Sequence, residues 1–222
     1  MMNKLEKIKE GFANTALFEQ ALTHRSWINE NPGIRQHNER LEFLGDAILE
    51  FIVSEAIYAH LPNREEGYLT SLRASLVNTQ NLSQVAAKLD IGSHLYLSRG
   101  EDDGGGRGNP SLLADTVEAL IGALYLDSGL EAVKKFIDQN ILINLEDKIS
   151  QPLKDPKSRL QEQVQAAGQP TPKYHVTAED GPDHNKTFKV QVWVGSNQRG
   201  EGSGHSKAVA ETNAALAALG EK

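Results

Sequence analysis

The chain has 222 residues, 39 % of them hydrophobic, and a formal net charge of −7. Cysteine is absent, which excludes disulfides and thiolate metal sites and fits a reducing compartment. No apolar run approaches the length needed to cross a bilayer and no signal-peptide pattern opens the chain, so a soluble, cytoplasmic protein without a membrane partner is expected.

The charge is uneven. Residues 1–150 carry 14 basic and 22 acidic residues, a net of −8, whereas residues 151–222 carry 9 and 8, a net of +1. A polyanion-binding protein normally shows a basic footprint, so any such role rests on local placement and on cations that neutralise the acidic part.

In chain order, residues 3–29 read as helical, with Leu5, Ile8 and Phe12 on one face and a second segment at 16–27 capped by Asn14 and Thr15. His24 reads as a structural hydrogen-bond partner. Asn31-Pro32-Gly33 ends this part. The next helix, running to about His60, carries Glu39, Glu42 and Asp46 at i, i+3 and i+7, within about 60° of one another. Leu41, Phe43, Leu44, Ala47, Ile48 and Leu49 fill most of the remaining circumference, so little of this helix is expected to be solvated. Three acids on such a helix repel one another, and no Lys at i+4 relieves them, which calls for a cation.

Glu65 and Glu66 open a helical stretch at 69–89 with a polar break near Asn78, where acids suit the helix N-terminus. Residues 98–109 are Gly-rich and read by default as a flexible linker. They lead into a second apolar helix bearing Asp115 and Glu118 at i and i+3, with small Ala119, Gly122 and Ala123 to admit a close neighbour. Two apolar helices with inward acids form a candidate all-oxygen site for Mg²⁺, with Mn²⁺ able to substitute. Such a site polarises a phosphodiester and activates water.

The domain boundary is expected at 151–157, where two prolines mark a linker between a domain at 1–150 and another at 158–222. Beyond it come a helix at 158–167, strands at 173–178, 187–194 and 198–202, and an Ala-rich helix at 206–219. Phe188, Val190, Val192 and Val194 alternate with polar or larger outward residues, as in a half-buried antiparallel strand. The α-β-β-β-α order describes a small α+β domain.

The stretch His37-Asn38-Glu39-Arg40-Leu41-Glu42-Phe43-Leu44-Gly45-Asp46 resembles the signature of the ribonuclease III family. Leu113-Ala114-Asp115 with Glu118-Ala119-Leu120-Ile121-Gly122 resembles that family's second acidic motif, and Ala21-Leu22-Thr23-His24-Arg25-Ser26 and Gly105-Gly106-Arg107 are further matches. Leu160-Gln161-Glu162, Gly181-Pro182-Asp183-His184 and Gly204-His205-Ser206-Lys207 resemble a double-stranded RNA-binding domain.

The resemblance implies an all-α, dimeric endonuclease domain followed by an α-β-β-β-α RNA-binding domain. It implies that Glu42, Asp115 and Glu118 hold Mg²⁺ and that Asp46 and Glu118 are most needed for hydrolysis. Glu39 and Glu66 would place the substrate, and Phe43 would plug into the partner of a homodimer. Double-stranded RNA would be cut to 5′-phosphate and 3′-hydroxyl ends with short 3′ overhangs, with ribosomal RNA precursors among the substrates. Gln161 and Gln165 would reach one minor groove, His184 the next, and Lys207 the phosphates between. Ala208 stands where the family pattern has a second basic residue, which implies a weaker complex. The alternative is a non-catalytic double-stranded RNA-binding protein; its sign would be loss of one acid of the set, and all are present.

Overall fold

A computed structural model describes residues 4–150, 155–182 and 186–221. The chain divides into two compact units, Met1–Gln151 and Pro152–Lys222.

The first unit is helical. Its helices are α1 (Lys4–Glu10), α2 (Thr15–Ala21), α3 (Arg25–Glu30), α4 (Glu39–His60), α5 (Glu66–Val77), α6 (Thr79–Leu89), α7 (Arg99–Asp103), α8 (Pro110–Asn140) and α9 (Leu145–Ser150). Helix α8 is broken at Gly129, whose backbone leaves the helical region. The core runs along α4 and α8, which pack most extensively against each other, with Leu49, Ile52, Val53, Val117, Leu120 and Ile121 buried. Among the described residues no helix is long and apolar enough to cross a membrane.

The crossing of α4 and α8 is unusually close. A Cβ on Gly45 would stand 1.7 Å from the Glu118 carbonyl oxygen, and one on Gly122 would stand 2.2 Å from the Leu41 carbonyl oxygen. Backbone therefore lies on backbone here, which only glycine permits. The small residue expected at 122 has its counterpart at 45.

Three local expectations are corrected. The helix expected at 16–27 is two helices, interrupted at 22–24, because Thr23 forms a parallel bridge with Tyr96 and His24 caps α3. That pairing spans more than seventy residues, beyond the reach of local pattern. The Gly-rich stretch is not a flexible linker but a folded turn: α7, then a 3₁₀ turn at Gly106–Gly108. Arg107 holds it, donating to both Asp102 carboxylate oxygens at 2.7 and 2.8 Å and to the carbonyls of Gly92, Ser93 and Leu95. The third correction concerns α4. Phe43, Phe51 and Tyr58 are exposed at 81, 55 and 74 %, so its apolar girth is not fully buried by its own chain.

The second unit pairs α10 (Pro156–Ala166) and α11 (Lys207–Leu219) with one face of an antiparallel sheet. The strands β1 (Lys173–Asp180), β2 (Thr187–Val194) and β3 (Asn197–Gly204) lie in the order β1-β2-β3. Helix α10 starts two residues earlier than expected. Asp155 caps it through the amides of Lys157 and Ser158, and Pro156 occupies the first turn, where a missing N–H costs nothing. Leu160 and Val164 pack on Val190, Val192 and Val194 with Ala210, Ala214 and Ala215. Strand β3 presents glycine to α11: a Cβ on Gly202 would lie 2.2 Å from the Ala214 nitrogen.

Candidate metal centre and nucleic-acid surface

The crossing that brings backbones together also brings the acids together. Glu42 lies just before Gly45 on α4, and Asp115 and Glu118 lie before Gly122 on α8. Ligand oxygens of Glu42, Asp115 and Glu118 all fall within 4.8 Å of one another. All three side chains are half-buried, and among the described residues no Lys or Arg ion-pairs with them or with Asp46.

Electrostatics register the crowding. Burial pushes the Glu118 carboxyl up to about 8, with repulsion from Asp46, Asp115, Glu42 and Glu50 adding to it. Burial also raises Glu42, with Asp115, Glu39 and Asp46 contributing. Asp115 is raised by burial, against which nearby His24 acts in the lowering direction. Three half-buried carboxylates without a cation form a donor set that a hard divalent ion satisfies, so these residues fit Mg²⁺ or Mn²⁺. Asp46 is exposed on the same helix.

The other acids sit elsewhere. Glu39, the first residue of α4, ion-pairs with Arg25 at 3.2 Å and approaches His37 at 3.7 Å. Glu66 opens α5 and lines a groove of about 540 Å³ with Phe51, Tyr58, Arg64 and Leu69; it is outside the acidic triad. Glu50 was not singled out from sequence, although it stands one turn beyond Asp46. It contributes to the field at Glu118 while paired with Arg73 at 2.7 Å. Phe43, strongly exposed, lines a separate depression of about 610 Å³ with Leu17, His37, Leu44 and Leu126.

The segments that lead into the two acid-bearing helices are bridged to residues 21–24. Asn38, buried just before α4, donates from its backbone N–H to the Thr23 carbonyl at 2.9 Å and from Nδ2 to the Ala21 carbonyl at 3.3 Å. Its own carbonyl accepts from the Leu41 and Glu42 amides. On the far side, Tyr96 donates to Leu22 and accepts from the His24 amide, and Arg107 grips the carbonyls just before Tyr96. The starts of the two acid-bearing helices are thereby connected through residues 22–24.

In the second unit, Gln161 and Gln165 are both exposed on α10, one turn apart. Lys207 is the first residue of α11, ion-paired with Glu179 at 3.2 Å and lying 5.5 Å from the Phe188 ring centre. Exposed Ala208 follows it. His184 lies outside the described residues.

Comparison with known proteins agrees with this architecture. The Ribonuclease-III-like family model matches residues 14–145, and the double-stranded RNA binding motif matches residues 156–221. The chain is 43 % identical to Ribonuclease 3 of Protochlamydia amoebophila, over 96 % of this chain and 88 % of that protein. It is 46 % identical to Ribonuclease 3 of Natranaerobius thermophilus, over 92 % of this chain and 89 % of that protein. Among solved structures, the nuclease domain of ribonuclease III from Campylobacter jejuni superposes with a TM-score of 0.58 at 38 % identity, covering 64 % of this chain and 93 % of that one. A second structure of that domain, at TM-score 0.58 and 36 % identity, covers 64 % of this chain and 99 % of its own, and concerns flexibility in a region involved in dimer formation. With a helical nuclease unit, a duplex-RNA-binding unit after it and relatives alike over most of both chains, the chain belongs to the ribonuclease III family of double-stranded RNA endoribonucleases.

Proposed function

We propose that this chain hydrolyses double-stranded RNA at the α4–α8 crossing, with Mg²⁺ held by Glu42, Asp115 and Glu118. The observation that carries the reading is the gathering of three half-buried carboxylates, without a basic partner among the described residues, within 4.8 Å. When bound, the ion neutralises charge at the phosphodiester and lowers the pKa of a coordinated water; Mn²⁺ has the same ligand preference.

The chain's own residues divide the remaining work. Burial and the neighbouring acids push the Glu118 carboxyl up to about 8, so its ionised form gains strongly from a cation and anchors the site. Asp46, exposed and one turn from Glu42, accepts the proton as water oxygen attacks phosphorus and the bond from phosphorus to the 3′ oxygen breaks, the departing 3′ oxygen taking a proton from solvent. The products are a 5′-phosphate and a 3′-hydroxyl, with a short 3′ overhang on each duplex end. Glu39 at the start of α4 and Glu66 at the start of α5 orient the substrate.

Substrate selection follows A-form geometry, where side chains meet 2′-hydroxyls and phosphates rather than major-groove base edges. Gln161 and Gln165 reach one minor groove, His184 the next, and Lys207 meets the intervening phosphates. Exposed Phe43 suits a homodimer in which the aromatic enters the partner subunit, the two sites then flanking one duplex. Ribosomal RNA precursors and other structured cytoplasmic transcripts are the substrates this reading expects.

The test is cleavage of a long RNA duplex with and without Mg²⁺ by wild type and Glu118→Ala. Metal-dependent cutting that disappears in the variant while duplex binding survives supports the reading. A wild type that binds but never cuts identifies a non-catalytic RNA-binding protein instead.

A further inference from the structure

Lys207, at the start of α11, already carries an anion of the chain's own. Glu179, near the end of β1, turns its carboxylate toward it, with Oε1 3.2 Å from Lys207 Nζ and Oε2 3.9 Å from Lys186 Nζ. Each oxygen faces a different ammonium, much as a phosphate would between two lysines. One turn further along α11, Glu211 takes Lys157 at 2.6 Å. All three of these lysines are therefore paired with acids before any ligand arrives.

The fold holds Lys207 in place without Glu179. Glu179 and Phe188 are directly opposite in the β1–β2 register, and the Phe188 ring centre lies 5.5 Å from Lys207 Nζ. The face of that ring attracts the ammonium. The Ser206 side chain caps α11 by accepting from the Val209 amide, so the backbone that carries Lys207 is fixed as well. Glu179 itself is exposed, and its carboxylate can turn to water without opening the core.

We infer that Glu179 is an intramolecular competitor of the RNA phosphate at Lys207, so that duplex binding exchanges one anion for another instead of adding a phosphate to a bare lysine. The inference rests on the proposed role of Lys207 at the phosphates. Its consequence lies in release. The products of cutting are still duplexes and carry the same phosphates, so turnover gains from a carboxylate that retakes the lysine as the phosphate lifts. An exposed ion pair of this kind is worth a factor of up to about five in an equilibrium constant. That is enough to shorten the life of the complex and too little to prevent its formation.

The test is a double-mutant cycle on the full chain, comparing wild type, Glu179→Gln, Lys207→Gln and the double variant. Affinity and dissociation rate are measured on an RNA duplex of about 20 base pairs, longer than one RNA-binding unit spans. Chelator prevents cutting, and the KCl concentration is varied. Glu201→Gln, at an exposed acid of β3 that accepts from Gln191, reports what removing one negative charge from the unit does by itself.

Glu179→Gln is expected to bind about threefold more tightly, through slower dissociation, with a salt slope steeper by about one counterion. Glu201→Gln is expected to stay within about 1.5-fold of wild type, and on the Lys207→Gln background the gain from Glu179→Gln should shrink below about 1.5-fold. A threefold gain that persists on that background, or appears equally in Glu201→Gln, overturns the inference, because it reports general charge and not exchange at Lys207. Glu179→Gln binding no better than wild type, while Lys207→Gln binds more weakly, overturns it too and leaves the phosphate role of Lys207 standing. If Lys207→Gln itself binds like wild type, that role falls and the inference with it.

Discussion

Replacing Gly45 by alanine tests whether the helix crossing sets the chemistry. The new methyl would stand 1.7 Å from the Glu118 carbonyl oxygen, 2.6 Å from its carbon and 2.9 Å from the Gly122 nitrogen. All three obstacles are backbone, so no rotamer change relieves the overlap. Ordinary contact requires α4 and α8 to separate by about 1.5–2 Å. Overpacking costs about 1–3 kcal/mol when side chains can yield, and a backbone clash belongs at or above about 3 kcal/mol. The same displacement carries Glu42 and Asp46 away from Asp115 and Glu118. Misplacement of about 1 Å in a reacting constellation costs about 100-fold in rate.

The assay is urea unfolding together with the Mg²⁺ dependence of duplex cleavage, at a temperature where the variant remains folded. Gly67→Ala is the control, because nothing lies within 4 Å of its added Cβ and alanine favours a helix. Gly45→Ala is expected to lose about 3 kcal/mol and at least about 100-fold in cleavage, with Gly67→Ala unchanged or slightly more stable. A Gly45→Ala protein with wild-type stability and metal dependence would refute the argument that backbone approach fixes the site.

The remaining predictions concern charge, the loop, assembly and RNA. Glu118 titrates near 8 in the folded, metal-free state against 4.5 ordinarily, so its contribution is fully present below about pH 4.5 and is lost as pH rises through about 8. Chelated wild type should therefore be less stable to urea at pH 8.5 than at 5.5, by about 1–2 kcal/mol once water around this half-exposed carboxylate is allowed for. Glu118→Gln should remove most of that slope. Arg107→Ala should cost about 2 kcal/mol in urea unfolding, by stranding the carbonyls it satisfies, and Arg107→Lys should recover little because a point charge cannot span them. Phe43→Glu should shift sedimentation toward a monomer; an unchanged dimer would place the interface elsewhere. Lys207→Gln should weaken duplex binding and flatten its salt dependence by about one counterion, whereas Glu179→Gln, which frees Lys207 from its ion pair, should tighten it.

Much of the site was legible because helical spacing is local. Glu42, Asp115 and Glu118 reveal their faces through i+3 steps, and Gly122 beside Ala119 and Ala123 advertises a close neighbour. Valines at 190, 192 and 194 display the strand period in the same way. What was not legible depends on distant partners. His24 reads as mid-helix until Tyr96 is known to pair with Thr23, and the glycines at 104–106 read as slack until Arg107 is seen gripping carbonyls at 92–95. Pro156 looks like a linker residue when Asp155 is not recognised as a cap. Phe51 and Tyr58 are exposed on a helix whose apolar pattern cannot distinguish burial within a chain from burial by another molecule, whereas Phe43 takes its interface role from the resemblance.

The contact of Gly202 with α11 has a thermodynamic consequence for the RNA-binding unit. Where strand and helix meet through glycine and alanine, cohesion comes from close dispersion contacts between backbones rather than from large apolar side chains removed from water. Heat capacity of unfolding tracks apolar area, so a unit cored by four valines, a leucine and alanines unfolds with a small heat-capacity change for its length. Its stability curve is correspondingly shallow. The platform that presents Lys207 at the start of α11 thus holds its shape over a broad range of temperature without being strongly stable at any one.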